Sequence, residues 1–202
     1  MLREIDRVLI DRSRIARRVG EMGEQIARDI ESEIAGHPVA PAGAEPRVVL
    51  VPILTGSLVF VADLIRRMPL KLSVQLMTVS SYPGKTTQSQ GVTLQGEMPR
   101  GLAGAHVLVV DDILDSGRTL GMVRREIEGQ RPASLRLAVL LRKRLAGGPR
   151  AVDVSVEHVG FDIEDEFVVG YGLDFDGYYR NLPDIVTLRA EQFASPGTGT
   201  PA

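Results

Sequence analysis

The chain has 202 residues, 44% hydrophobic, 25% charged and only 4% aromatic, and its 24 basic and 26 acidic side chains leave a formal charge of −2. That length suits one compact domain, and an ordinary apolar fraction near neutrality excludes wholesale disorder and a basic nucleic-acid coat. With no cysteine and three scattered histidines (His37, His106, His158), disulfides, thiol nucleophiles and Cys- or His-rich metal centres are excluded. The chemistry must rest on carboxylates, Lys, Arg, hydroxyls and backbone.

In chain order, Ile15, Val19, Met22, Ile26 and Ile30 recur at three- and four-residue spacing. That spacing predicts an amphipathic helix over 13–35 with Ser13 as its N-cap. A Gly-, Pro- and Ala-containing loop follows over 36–46. The apolar run RVVLVPIL at 47–54 fits a strand buried on both faces, and Thr55-Gly56-Ser57 leads into a second amphipathic helix over 58–68. A strand is expected over 70–80, a polar stretch with a Pro-Gly turn over 81–90, and a short strand over 91–95. An apolar strand beginning near residue 104 runs into Asp111 and Asp112, followed by a helix from about 119 to 129 and a buried strand over 134–141. Weaker strands are expected at 152–159 and 167–170, separated by the acidic stretch 162–166. Residues 191–202 read as a disordered tail.

No apolar run approaches the ~18 residues of a membrane span, and the first residues are too charged for a signal peptide, so a soluble cytoplasmic protein with no membrane partner is expected. Alternating strands and helices with near-continuous apolar strands argue an α/β fold around a mainly parallel sheet flanked by helices. In such a fold the functional loops lie at the carboxyl ends of the strands.

The loop after the strand at 107–110 is the most heavily loaded: Asp111-Asp112-Ile113-Leu114-Asp115-Ser116-Gly117-Arg118-Thr119. A helix start offers unpaired N–H groups and partial positive charge, which suits a phosphate monoester. Ser116 and Thr119 add hydroxyls, and Gly117 permits close backbone approach. Three carboxylates beside a phosphate make sense if the ligand also brings sugar hydroxyls or Mg²⁺. For any one acid an ordinary Asp-capped βα turn remains an alternative, but clustered like charges cost stability unless something compensates them. There is no G-x-x-x-x-G-K-[ST], which excludes a Walker-type loop.

This string resembles the phosphoribosyl-pyrophosphate loop of the type I phosphoribosyltransferases, and more narrowly of the hypoxanthine(-guanine) members. Asp111 stands where that family usually has Glu, Ser116 where it has Thr, and Arg118 where it has Lys. The segment 53–66 is similar to the family's first strand–loop–helix, whose loop contacts pyrophosphate through backbone, here at Thr55 and Gly56; Thr55 replaces the basic residue often found there. Ser80-Ser81-Tyr82 resembles the start of its mobile lid. Farther on, Phe167-Val168, Asp174 and Arg180 resemble the purine-salvage pattern.

The resemblance implies the type I phosphoribosyltransferase fold, a central mainly parallel twisted sheet with a small hood, as one domain over 1–190. The core would span about 36–145 and the hood about 1–35 and 150–190. It further implies purine salvage: Mg²⁺-dependent transfer of 5-phosphoribosyl from phosphoribosyl pyrophosphate (PRPP) to N9 of hypoxanthine or guanine. In that scheme Asp111, Asp112 and Asp115 to Thr119 hold the ribose 5′-phosphate end, and Asp115 is the general base. Thr55, Gly56 and Arg180 face pyrophosphate. Lys143, Phe167, Val168 and Asp174 hold the purine, and Asp111, Asp112 and Asp174 are the Mg²⁺ ligands. Ser81 and Tyr82 belong to the lid. A homo-oligomer, dimer or tetramer, is implied by resemblance, with no nucleic-acid partner. The rivals are a xanthine- or orotate-specific phosphoribosyltransferase and a non-catalytic, RNA-binding nucleotide sensor, for which the −2 charge offers little support.

Overall fold

The computed structural model describes residues 2–36, 46–80, 93–94, 98–144 and 151–192. Its centre is a parallel stack of three apolar strands, β2 (Val48–Leu54), β6 (His106–Leu114) and β7 (Ser134–Arg144). Val, Leu and Ile fill both faces of these strands, as in a sheet covered on both sides. Strand β8 (His158–Glu164) extends the stack in parallel beyond β7. On the other side, β3 (Leu72–Val74) and β4 (Met77–Ser80) both pair in parallel with β2, and β5 (Thr93–Leu94) closes the edge antiparallel to β4. The single strand expected over 70–80 is therefore two. The break falls level with Pro52, since Leu50 pairs with Val74 and Ile53 with Met77, and a proline has no N–H to give a ladder.

Helix α1 (Arg12–Gly36) covers one face, burying the five periodic apolar residues named above. Its cap is Asp11, not Ser13: Asp11 Oδ1 accepts the backbone N–H groups of Ser13 and Arg14, both at 3.0 Å. Helix α2 (Leu58–Leu64) packs beside it and ends in a 3₁₀ turn, Ile65–Arg67. Helix α3 (Arg118–Glu128) follows β6 and buries Leu120, Val123 and Ile127 in a second apolar cluster.

A small antiparallel sheet joins the two ends of the chain: β1 (Ile5–Ile10) pairs with β10 (Ile185–Leu188), which pairs with β9 (Val168–Val169). Arg12 secures this sheet to the start of α1 through Asp184, at 2.7 to 3.1 Å. The hood is thus smaller than expected. Helix α1 and strand β8 belong to the main body, and Arg18 ties them together by donating to the carbonyls of Val159 and Gly160 at 2.7 and 2.9 Å.

Two further expectations are corrected. The strand expected at 152–159 starts only at His158 and runs through acids read as a separator. Edge position explains this: Asp162 and Glu164 remain in solvent and face Arg142 and Arg144 across the β7–β8 pair. Glu191 and Gln192, read as the start of the tail, belong to a 3₁₀ turn, Ala190–Gln192; residues 193–202 lie outside the described residues.

Candidate active site

The carboxyl ends of β2 and β6 converge on a cleft of about 370 Å³. Its floor is the end of β6. Asp111 and Asp112 lie within the strand rather than after it, because β6 continues to Leu114 alongside β7. Asp111 is buried, and its Oδ1 accepts the N–H of Asp112 at 3.0 Å. Burial first, and the neighbouring Asp112 charge second, hold the Asp111 carboxyl well above the usual carboxylate range. Burial also raises Asp112, with hydrogen bonds and the Arg180 charge opposing it.

One wall is the loop after β2. Its Leu54–Thr55 peptide is cis, and buried Ser57 donates to the carbonyl of Ile53 at 2.6 Å, closing the turn. Gly56 has no side chain for a specific reason: a Cβ there would lie 1.7 Å from Asp112 Oδ2. The carboxylate occupies the space that any other residue would fill.

A second wall is the start of α3. Gly117 takes φ of 78° as the residue before the helix, and its Cβ would meet the Val152 carbonyl oxygen at 2.1 Å. The Ser116 carbonyl accepts the Val152 N–H at 3.1 Å. These contacts fix the loop so that Asp115, Ser116, Gly117 and Thr119 line the cleft around the first turn of α3. Unpaired helix N–H groups and hydroxyls there make an anion cradle.

The third wall comes from the loop between β9 and β10. Arg180 reaches Asp174 Oδ1 at 2.7 Å and donates to the Gly172 carbonyl at 2.6 Å. Asp174 Oδ2 accepts the Gly177 N–H at 2.8 Å. Gly172, at φ of 103°, passes so near the Gly56 carbonyl that a Cβ would stand 2.2 Å from that oxygen. This close approach brings Arg180 and Asp174 opposite Asp111 and Asp112.

Beside the cleft, the ammonium of Lys143, near the end of β7, lies 3.5 Å from Asp115 Oδ2 and 3.2 Å from Asp165 Oδ1. Phe167 is 46% exposed, an unusual state for a Phe, and stands edge-on to Phe175 with centroids 5.6 Å apart. Val168 is buried in β9.

The oxygen-rich donor set suits Mg²⁺. Among the described residues no group of three His, Cys, Asp or Glu converges as a complete cage. Mg²⁺ does not need one: it commonly takes one or two carboxylates and completes its shell with water and substrate phosphate. Buried Asp111 and half-buried Asp112, with burial raising both carboxyls, fit such a site, and Asp174, oriented by Arg180 and the Gly177 N–H, lines the same cleft.

A family model described as the phosphoribosyl transferase domain matches residues 12–176. The chain is also 41% identical over 187 residues to the hypoxanthine-guanine phosphoribosyltransferase of Mycobacterium tuberculosis, covering 92% of this chain and 87% of that protein. The chain belongs to the hypoxanthine(-guanine) phosphoribosyltransferase family. It is 40% identical over 176 residues to the hypoxanthine phosphoribosyltransferase of Salmonella typhimurium, covering 87% of this chain and 91% of that one. The solved hypoxanthine phosphoribosyltransferase of Staphylococcus aureus superposes with a TM-score of 0.80 at 35% identity, covering 96% of this chain and 97% of that chain. As a member of this family the chain is a phosphoribosyltransferase enzyme, and its mostly parallel sheet flanked by helices is the type I phosphoribosyltransferase fold.

Of the residues singled out by sequence in this phosphoribosyltransferase, the cleft gathers Gly56, Asp111, Asp112, Asp115, Ser116, Gly117, Thr119, Asp174 and Arg180. Lys143 joins through its contact with Asp115. Thr55 and Arg118 are exposed and do not line the cleft, nor do Phe167 and Val168. Ser81 and Tyr82 lie outside the described residues. Sequence reasoning missed Asp165 and Gly172. Asp165 carried one usable signal, its place two residues before Phe167; the role of Gly172 depends on a non-local approach that no local pattern announces.

Proposed function

We propose that this enzyme transfers the 5-phosphoribosyl group of PRPP to N9 of hypoxanthine, and of guanine, giving IMP or GMP and pyrophosphate. The observation that carries this reading is the pairing of Asp115 with Lys143, 3.5 Å apart. A 6-oxopurine displays O6 and N7 side by side on one edge. An ammonium donor beside a carboxylate acceptor matches that edge when N7 carries its proton.

The ribose 5′-phosphate sits on the N–H groups and hydroxyls of Ser116 to Thr119, and the ribose hydroxyls face Asp111 and Asp112. Asp111, Asp112 and Asp174 would hold Mg²⁺ together with substrate oxygens, and the ion would neutralise the pyrophosphate charge. Arg180, fixed by Asp174 and the Gly172 carbonyl, directs its guanidinium to the leaving pyrophosphate. The N9 lone pair forms the bond to C1′ as the C1′–O bond to pyrophosphate breaks. The N7 proton passes to Asp115. Exposed Phe167 provides the face against which the purine stacks. Lys143 selects against adenine, whose 6-amino group would place donor against donor and leave a polar group unpaired.

A base panel tests the reading: the purified chain, Mg²⁺ and PRPP with hypoxanthine, guanine, xanthine, adenine or orotate in turn. Nucleotide formation is expected with the first two and far less with adenine. Turnover confined to orotate or xanthine, or none with any 6-oxopurine, contradicts it.

A further inference from the structure

Asp115 has a place in the proposed reaction, but the second carboxylate on Lys143, that of Asp165, has none. Asp165 stands one residue beyond β8 and two before Phe167. One short loop therefore carries both the ring offered to the purine and a counter-charge for the lysine that reads it. The loop is held on both sides: Lys143 pairs with Ile163 in the β7–β8 ladder, and Glu166 takes an ion pair from Arg7 of β1 at 2.5 Å.

We propose that Asp165 is a specificity-determining positioning residue, which keeps the Lys143 ammonium aimed at the purine 6-oxo group by opposing the pull of Asp115. This rests on the reading of the site as a 6-oxopurine phosphoribosyltransferase and deepens it.

The geometry supplies the reason. An ammonium has three N–H donors and no acceptor, on a flexible four-carbon stem. Asp165 and Asp115 hold this ammonium together, at 3.2 and 3.5 Å, so its direction is set by the balance of the two carboxylates. The Lys143 side chain is 13% exposed, whereas those of Asp115 and Asp165 are 54% and 50% exposed. The two ion pairs therefore add little to global stability, while they set the direction of a packed cation. Without Asp165 the ammonium turns one-sidedly onto Asp115. That move withdraws its N–H from O6 and engages the carboxylate that must accept the N7 proton.

The test is a double-mutant cycle on the full chain, with Asp165→Asn made alone and in a Lys143→Ala background, and Asp165→Glu as the conservative rescue. Initial rates are measured with hypoxanthine, adenine and PRPP varied separately. Calorimetric binding of IMP to each protein gives a readout that does not need turnover. Asp165→Asn is expected to raise the KM for hypoxanthine and weaken IMP binding about five- to tenfold, leave the KM for PRPP within about twofold, and narrow the preference over adenine. Asp165→Glu is expected to recover most of the loss, and Asp165→Asn should add nothing measurable once Lys143 is alanine. Equal effects in both backgrounds, parallel rises in both KM values, or wild-type behaviour of Asp165→Asn overturn the positioning role and leave the reaction standing. A wild-type chain that turns over no 6-oxopurine overturns the parent reading and this proposal with it.

Discussion

Gly56→Ala separates the chemistry of the site from the stability of the fold. A methyl group at this position would lie 1.7 Å from Asp112 Oδ2, and ordinary contact begins near 3.4 Å, so the carboxylate must retreat by roughly 1.7 Å. The retreat costs little, because what moves is the end of a side chain: an off-rotamer χ costs about 0.5–1.5 kcal/mol. Glycine φ here lies outside the left-handed region, so alanine restricts the unfolded chain and returns about 0.4–1 kcal/mol. The unfolding free energy should therefore change by less than about 1 kcal/mol in urea titration. Function should respond differently. Misplacing a group by about 1 Å can cost ~10²-fold in rate, and Asp112 is the carboxylate assigned to the ribose and Mg²⁺. We expect kcat/KM for PRPP to fall about 10²-fold. In an Asp112→Ala background, where the carboxylate is gone, Gly56→Ala should add little. A loss of the same size in both backgrounds would show that the methyl group acts on something other than Asp112 and refute the reasoning.

Gly117→Ala should do the opposite and unfold the protein more readily. Its φ of 78° costs a side chain about 1–2 kcal/mol, and the obstacle is the Val152 carbonyl rather than a movable side chain, so a loss above about 2 kcal/mol is expected in urea. Asp115→Asn should lower kcat by about 10²-fold with little change in the KM for PRPP, as for a lost general base; a change confined to KM would assign it to binding. His158 is 3% exposed, and neither ring nitrogen has a hydrogen-bond partner among the described residues. Burial, as the largest cause, lowers its pKa below 6.5, with Asp29 opposing. Between the folded pKa and 6.5 the unfolded state binds more protons, so this residue's contribution makes stability rise with pH, and stability is lost as pH falls from 6.5 through the folded value. Thermal unfolding between pH 7 and 5 should show a shallower pH dependence for His158→Gln than for the wild type; parallel curves would count against it.

The parts of this molecule that were legible in sequence are those governed by local rules. Unbroken apolar runs marked β2, β6 and β7, and the helical spacing of Ile15 to Ile30 marked α1. The acid–hydroxyl–glycine string at 111–119 marked the centre of the site. What sequence missed depends on partners distant in the chain. β1 and β10 are short and gain their meaning only by pairing with each other across the whole chain length. The acids of β8 looked like a loop because an edge strand can leave them in solvent opposite Arg142 and Arg144. The strand at 70–80 broke because Pro52 lies in its neighbour, not in itself. Gly56 was legible as a contact residue, but its reason, the Asp112 carboxylate in the place of a side chain, was not. Asp165 escaped notice because its significance lies in Lys143, a residue on another strand.

We propose that the paired Asp115 and Lys143 read the N7–O6 edge of a purine at a phosphoribosyl-transfer site. The most direct measurement follows PRPP and hypoxanthine with the purified chain and Mg²⁺ by chromatography with mass detection. IMP and pyrophosphate are expected in equal amounts, with loss of product when Mg²⁺ is chelated. Pyrophosphate release without IMP, or no consumption of hypoxanthine at all, would contradict it.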